Sequence, residues 1–245
     1  MWIRTPRGIR LAAELRRSRG QAVIVMAHGF CDNRHSFGRF DRLADGFAAA
    51  GYDVLTFDFS GCGESDPDVV QVRTEVEDFR AVLAWLRDEG YERIGVYGHS
   101  LGGTIALLAN DGLPEAMVLA GTPTGAMSYD WLDYYGPRRM KELNDTGVLR
   151  IGPWTLTHQS LKDFEELDQR VLLGSVKCPV LLVHGGHGND WEEQELLRLS
   201  RKGRHLLPFG SAITVVDGAG HSFSDHIPQV LALAQGWFGE HLPLP

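Results

Sequence analysis

Short apolar runs alternate with amphipathic stretches along most of this chain. Residues 22–27, 53–57, 93–97, 116–120, 179–184 and 212–216 are near-continuous Val/Ile/Leu-type segments, the pattern of strands covered on both faces. Between them, Phe40, Leu43, Phe47 and Ala50 recur at helical spacing until Gly51, and Val72, Val76, Phe79, Val82, Leu83 and Leu86 do the same before Gly90. Thr74 with Glu77 three residues on reads as a capping box. Pro228 falls in the first turn of a closing helix that carries Val230, Leu231, Ala234, Trp237 and Phe238 inward. Such alternation predicts an α/β fold with a mostly parallel central sheet and helices on both faces.

Residues 122–173 break the rhythm. They hold no strong strand pattern, while Trp131, Tyr134, Tyr135, Met140 and Trp154 lie among Gly, Pro and charges. The aromatics could be ordinary packing, but the segment separates two strands, and loops at the carboxyl ends of parallel strands build sites. The expectation is therefore a single domain over residues 1–245 in which 122–173 forms a small inserted lid, with Trp131 and Trp154 contacting substrate.

Composition narrows the function classes. The 245 residues, 43% hydrophobic and 23% charged, suit one compact domain. A formal net charge of -8 argues against a nucleic-acid partner, because phosphate backbones are bound by Lys and Arg. Arg4, Arg7, Arg10, Arg16, Arg17 and Arg19 crowd the start of the chain. A short strand pattern runs through them with no apolar leader core, so the expected location is cytoplasmic. No run approaches the roughly 20 apolar residues of a membrane span. Cys31, Cys62 and Cys178 are scattered and odd in number, which fits free thiols rather than a disulfide framework or a metal clip.

Chemistry is concentrated at Gly98-His99-Ser100-Leu101-Gly102-Gly103. A strand pattern precedes it and a helix pattern follows, the setting in which a G-x-S-x-G serine is held on a strained turn clear of the sheet. An acyl-transfer serine needs two N–H donors for its oxyanion. Leu101, next after the nucleophile, supplies one, and Phe30, in the His28-Gly29-Phe30 loop after the first long strand, supplies the other. His28 itself reads as a structural hydrogen-bonder. The base should follow the last strand, which selects His221 in Gly220-His221, whereas His99, His184 and His226 look like turn and cap residues. The orienting carboxylate should follow the strand ending at His184, where Asp190 is the first acid; Asp190 could equally be a helix N-cap.

With these residues in place the chain resembles the α/β-hydrolases over nearly its whole length. His28-Gly29-Phe30, Asp58-Phe59-Ser60-Gly61, Gly98-His99-Ser100-Leu101-Gly102, His184-Gly185 and Gly220-His221 stand in that family's order. The opening His-Gly-Phe followed by Asn33 is similar to carboxylesterases of the feruloyl and cinnamoyl type. The resemblance implies a small-molecule ester substrate and no cofactor. One departure is Gly188, which stands where the family has its aspartate, so Glu192 or Glu193 are alternatives to Asp190. Thioesterase, lactonase and carbon–carbon bond hydrolase activities would use the same triad. A low-turnover ligand-binding protein and a metal site from His184, His187, Asp190 and His221 are competing readings. With Asp190 as the acid, Asp190→Asn would cut turnover by orders of magnitude and Glu193→Gln would not.

Overall fold

The computed structural model describes residues 1–18 and 22–244; Arg19 lies outside the described residues. The strands are β1 (Trp2–Arg4), β2 (Arg10–Arg16), β3 (Val23–Ala27), β4 (Asp53–Phe57), β5 (Ile94–His99), β6 (Pro114–Ala120), β7 (Val148–Ile151), β8 (Trp154–Thr157), β9 (Val180–Gly185) and β10 (Ala212–Val216). The helices are α1 (Arg39–Ala49), α2 (Val72–Asp88), α3 (Leu101–Ala109), α4 (Trp131–Thr146), α5 (His158–Lys162), α6 (Gln169–Gly174), α7 (Trp191–Gly203) and α8 (Ile227–His241). Eight strands form one sheet in the order β1-β2-β4-β3-β5-β6-β9-β10. β2 runs antiparallel to β1 and β4, and from β4 to β10 every pairing is parallel.

Both faces of that sheet are buried over β3, β4, β5, β6 and β9, which is why those strands read as unbroken apolar runs, whereas β10, at the edge, is only partly covered and leaves Val215 exposed. On one face Val25, Val96 and Leu182 meet Phe79 and Leu83 of α2, Ile105 of α3 and Leu196 of α7. On the other, Ile24, Tyr97 and Val183 meet Phe47 of α1 and Val230 and Phe238 of α8. Parallel strands bring their carboxyl ends to a single edge. The segments that leave β3, β5, β6, β9 and β10, holding residues 28–31, 100, 121, 186–190 and 217–221, are therefore neighbours.

Some local expectations change. Thr74 lies inside α2, whose N-cap is Gln71, and its hydroxyl bonds the Gln71 and Val69 carbonyls at 3.0 and 3.2 Å; the Thr74–Glu77 capping box is not formed, because the helix starts two residues before Thr74. Residues 122–173 contain a hairpin, β7–β8, whose four-residue strands are too short to show a period. With the hairpin, Leu143, Leu149, Leu156 and Leu161 close over Cys62 and Val70 as a small satellite core. The N-terminal arginines serve the fold: Arg7 pairs with Asp68, Glu77 and Asp78, Arg10 with Asp66, and Arg16 with Asp41.

The α3 N-terminus presses on the end of β3. A Cβ on Gly102 would lie 2.3 Å from the carbonyl oxygens of Ala27 and His28, and backbone cannot swing aside as a side chain can. Gly239, within α8, faces open space. Gly102→Ala should thus lower unfolding free energy by about 1–3 kcal/mol, while Gly239→Ala should leave it unchanged or raise it by about 0.5–1 kcal/mol. Urea denaturation monitored by circular dichroism measures both, and equal stabilities would refute the close approach.

Candidate active site

Ser100 ends the straight run of β5 and opens α3. Its backbone sits at φ 52° and ψ -128°, a conformation costing on the order of 1–3 kcal/mol. The turn is held by the Ser100 N–H on the Ala120 carbonyl at 2.9 Å and by the Gly103 N–H on the Ser100 carbonyl at 3.0 Å. Glycines let it close: a Cβ on Gly98 would stand 2.6 Å from the Gly103 Cα, and one on Gly29 3.2 Å from the Ser100 Cβ. The hydroxyl therefore projects at the carboxyl edge of the sheet, at the positive end of α3.

His221, in the loop after β10, meets it. Its Nε2 lies 3.0 Å from Ser100 Oγ, and its Nδ1 lies 2.7 Å from Glu193 Oε1. A carboxylate only accepts, so the proton sits on Nδ1 and Nε2 is left to accept from the serine. His99, the last residue of β5, donates through Nε2 to the His221 carbonyl at 3.0 Å and fixes that loop. Burial and the neighbouring His221 and Arg39 charges hold His99 down at about 3, so it stays a neutral prop. His28 does the same under the β3 loop: Nδ1 bonds the Gly29 carbonyl at 2.9 Å and Nε2 accepts from the Phe59 N–H at 3.1 Å.

The carboxylate on His221 is Glu193, and the Asp190 assignment is corrected. Asp190 is the N-cap of α7: one oxygen accepts from the Glu193 N–H at 3.1 Å and the other from the His221 backbone N–H at 2.8 Å. It holds the two partners' backbones while the third residue of the helix turns its longer side chain to the imidazole. Glu193 is fully buried. Its second oxygen accepts from the Gly185 N–H at 2.7 Å, and His184 Nδ1 lies 3.4 Å away without hydrogen-bond alignment. Burial alone would push Glu193 up, but the adjacent His184 and His221 outweigh it and hold the carboxyl at about 2. Burial alone would push His221 down; the Glu193 hydrogen bond, with Glu192, Glu193 and Asp190 charges nearby, carries it above its ordinary value.

One further part, Gly121, was not singled out from sequence, and another, His184, takes a different place from the one expected. Gly121, at φ 57°, leaves room for the pair, since a Cβ there would lie 2.7 Å from Glu193 Oε1 and 3.0 Å from His221 Nδ1. His184 is no turn residue; it lies inside β9, fully buried, with Nε2 2.9 Å from Ser200 Oγ. Among the described residues no group of three or more His, Cys, Asp or Glu could hold a metal ion.

Ser100 and His221 face a cleft of about 320 Å³ walled by Phe30, Tyr129, Trp131, Tyr134 and Phe164, with Phe37 at its edge. Trp131, expected to contact substrate, lines this cleft. Trp154 does not: on β8 it packs against the satellite core of Leu143, Leu149 and Leu156, because the hairpin turns its indole into the insertion rather than toward Ser100.

A family model for the alpha/beta hydrolase fold matches residues 22–173. The chain belongs to that family. Among curated proteins, this hydrolase is 37% identical over 113 residues to a 2-hydroxy-6-oxononadienedioate/2-hydroxy-6-oxononatrienedioate hydrolase of Cupriavidus pinatubonensis, a match taking in 44% of the chain and 39% of that relative's length. Among solved structures it superposes on ferulic acid-bound Est1E of Butyrivibrio proteoclasticus with a TM-score of 0.78 at 18% identity, covering 100% of both chains. A thermophilic esterase of Thermogutta terrifontis, solved with malate, gives 0.68 at 19% identity over 98% of each. These two likenesses establish the shared fold.

The geometry reverses the mutational expectation at the two acids. Glu193→Gln should slow labelling of Ser100 by a fluorophosphonate by about 10⁴-fold, as loss of the orienting carboxylate does in serine triads. Asp190→Ser, which keeps a capping oxygen, should change it less than tenfold. Mass spectrometry of the labelled protein reads both rates, and the opposite ranking would restore Asp190.

Proposed function

We propose that this hydrolase cleaves carboxylic esters through an acyl-enzyme on Ser100. The observation that carries the reading is the continuous relay from Ser100 Oγ to His221 Nε2 at 3.0 Å and from His221 Nδ1 to Glu193 Oε1 at 2.7 Å, opening on the aromatic cleft. Ser100 Oγ attacks the acyl carbon as its proton passes to Nε2, and the imidazolium returns that proton to the departing alkoxide. Water then repeats the cycle: it loses a proton to Nε2, attacks the acyl-enzyme and releases the acid with Ser100 regenerated. Glu193 holds the Nδ1–H tautomer and stabilises the imidazolium. Leu101, at the first position of α3, and Phe30, beside Gly29, provide the backbone N–H pair for the oxyanion.

The aromatic walls favour an ester with an aryl or bulky apolar group, which stacks against Trp131 and Tyr129. That Est1E was solved with ferulic acid gives this an independent precedent. Thioesters and lactones offer the same electrophilic carbonyl, and the relay serves them by the same steps with a thiolate or a tethered alkoxide as the leaving group; the diene-diacid substrate named for the Cupriavidus relative would in addition require protonation of a leaving carbon.

Wild-type protein should hydrolyse p-nitrophenyl butyrate and take a fluorophosphonate label, and Ser100→Ala should lose both. Retained labelling in Ser100→Ala would sink the proposal. Because Nε2 must be unprotonated to accept, kcat/KM should rise with pH along a limb centred above 6.5, the ordinary histidine value. In Glu193→Gln the residual activity should titrate at lower pH, since the hydrogen-bonded carboxylate among the groups that raise His221 is gone.

A further inference from the structure

The structure assigns Glu192 as a specificity-determining residue that makes the cleft select esters by charge: cationic over neutral, and neutral over carboxylate-bearing. This rests on the ester reading above and adds the class of substrate. Glu192 follows directly from the helix start that positions Glu193. With Asp190 as N-cap, Glu193 points inward at His221, and Glu192, one residue earlier, points into the cleft. Its Oε1 lies 3.9 Å from His221 Nε2, the atom that faces Ser100. It is the other carboxylate on His221, approaching from the substrate side.

The charge inventory of the cleft makes this decisive. Its lining includes Asp32, Arg39 and Glu192 as the charged side chains besides His221. Arg39 is already engaged: it donates to the Ser36 carbonyl at 2.9 Å, the Ser222 carbonyl at 2.7 Å, Ser36 Oγ at 2.7 Å and Asp32 Oδ2 at 3.3 Å. Paired with Asp32, it offers an incoming anion no net charge. Asp32 Oδ1 is buried there without a partner, a further acceptor on the same side. Glu192 has a neutral donor, the Tyr129 hydroxyl at 2.7 Å. Burial and the adjacent carboxylate push that phenol far above its ordinary value, so the bond solvates Glu192 without cancelling its charge. With His221 neutral, the cleft is left net negative.

The walls reinforce the sign. Tyr129, Trp131 and Tyr134 line the cleft together with Glu192, and aromatic rings attract ammonium groups, Trp most of all. A carboxylate next to such rings is the chemistry that recognises an alkylammonium. The net charge of -8 on the whole chain pulls in the same direction.

The test compares two matched pairs of esters. Acetylcholine and 3,3-dimethylbutyl acetate differ by one positive charge in the alcohol at equal shape; p-nitrophenyl hemisuccinate and p-nitrophenyl butyrate differ by one negative charge in the acyl group. For wild type, kcat/KM should favour the cation over its neutral isostere by about tenfold or more, and the butyrate over the hemisuccinate by about tenfold or more. Both ratios should shrink in 0.5 M salt. In Glu192→Gln, which keeps an acceptor for Tyr129, both should collapse toward unity, and in Glu192→Lys they should invert. Wild-type ratios near unity, or ratios unmoved by both substitutions, would overturn the assignment while leaving ester hydrolysis standing. Failure to hydrolyse any of the four would overturn both.

Discussion

A carboxylate removed from water must be surrounded by donors or give up its charge, and the fully buried Glu193 is where this fold meets that demand. Meeting it organises the site. One oxygen takes the N–H that ends β9 and the other takes the imidazole from the loop after β10. Asp190 caps the helix that carries Glu193 and holds the His221 backbone. Gly121, at the end of β6, contributes by lacking a Cβ. Three strand ends and one helix start thus converge on a single charge. Breaking such a group by removing one partner is far costlier than any surface ion pair, so the geometry of His221 is inherited from the sheet rather than set by a flexible loop.

The same edge stores strain. Ser100 is held at positive φ by bonds to β6 and α3. Across the cleft Cys31, Ser36 and Phe37 are also non-glycine residues at positive φ. There the restraint is polar: Arg39 and Asp32 grip Ser36, and the adjacent Phe37 is left 91% exposed at the rim. In each place a conformation worth on the order of 1–3 kcal/mol of strain is imposed by surrounding bonds, and Ser100, Cys31 and Phe37 border the reaction volume while Ser36 is buried behind them.

What could be read from sequence follows from range. The strands, the turn at Ser100 and the glycine-flanked His221 announce themselves locally, because burial on both faces, a tight turn and a close approach each restrict residue type at neighbouring positions. Asp190 and Glu193 are harder. Asp-x-x-Glu at a helix start is a capping pattern, in which the acid at the third helical position commonly turns back on the cap. Here it turns away, toward an imidazole 28 residues on, and only the three-dimensional position of that imidazole decides between them. Gly188 in the usual acid position was the available signal that the carboxylate had moved. Trp154 fails for a related reason. Aromatic content marks a segment as packed without saying against what, and the insertion has a small core of its own. The Thr74 pattern fails because tertiary contacts extended α2 past its local start signal.

The charges on the relay tie stability to function in opposite senses. Glu193 has a folded value of about 2, below its ordinary 4.5. Its contribution to stability is therefore present above the unfolded value and lost as pH falls toward 2. His221 is raised above 6.5, so its contribution is complete below the unfolded value and is lost as pH rises through the folded one. The pair is most cohesive with both partners charged, at mildly acidic pH. The proposed acyl transfer needs the opposite histidine: neutral at Nε2 to accept a proton, charged only while the tetrahedral intermediate exists. The interaction that favours the protonated resting site is then the interaction that stabilises the imidazolium as it forms. On the proposed mechanism, a site arranged this way gives up some of its own stability where His221 is neutral, and recovers it in the transition state.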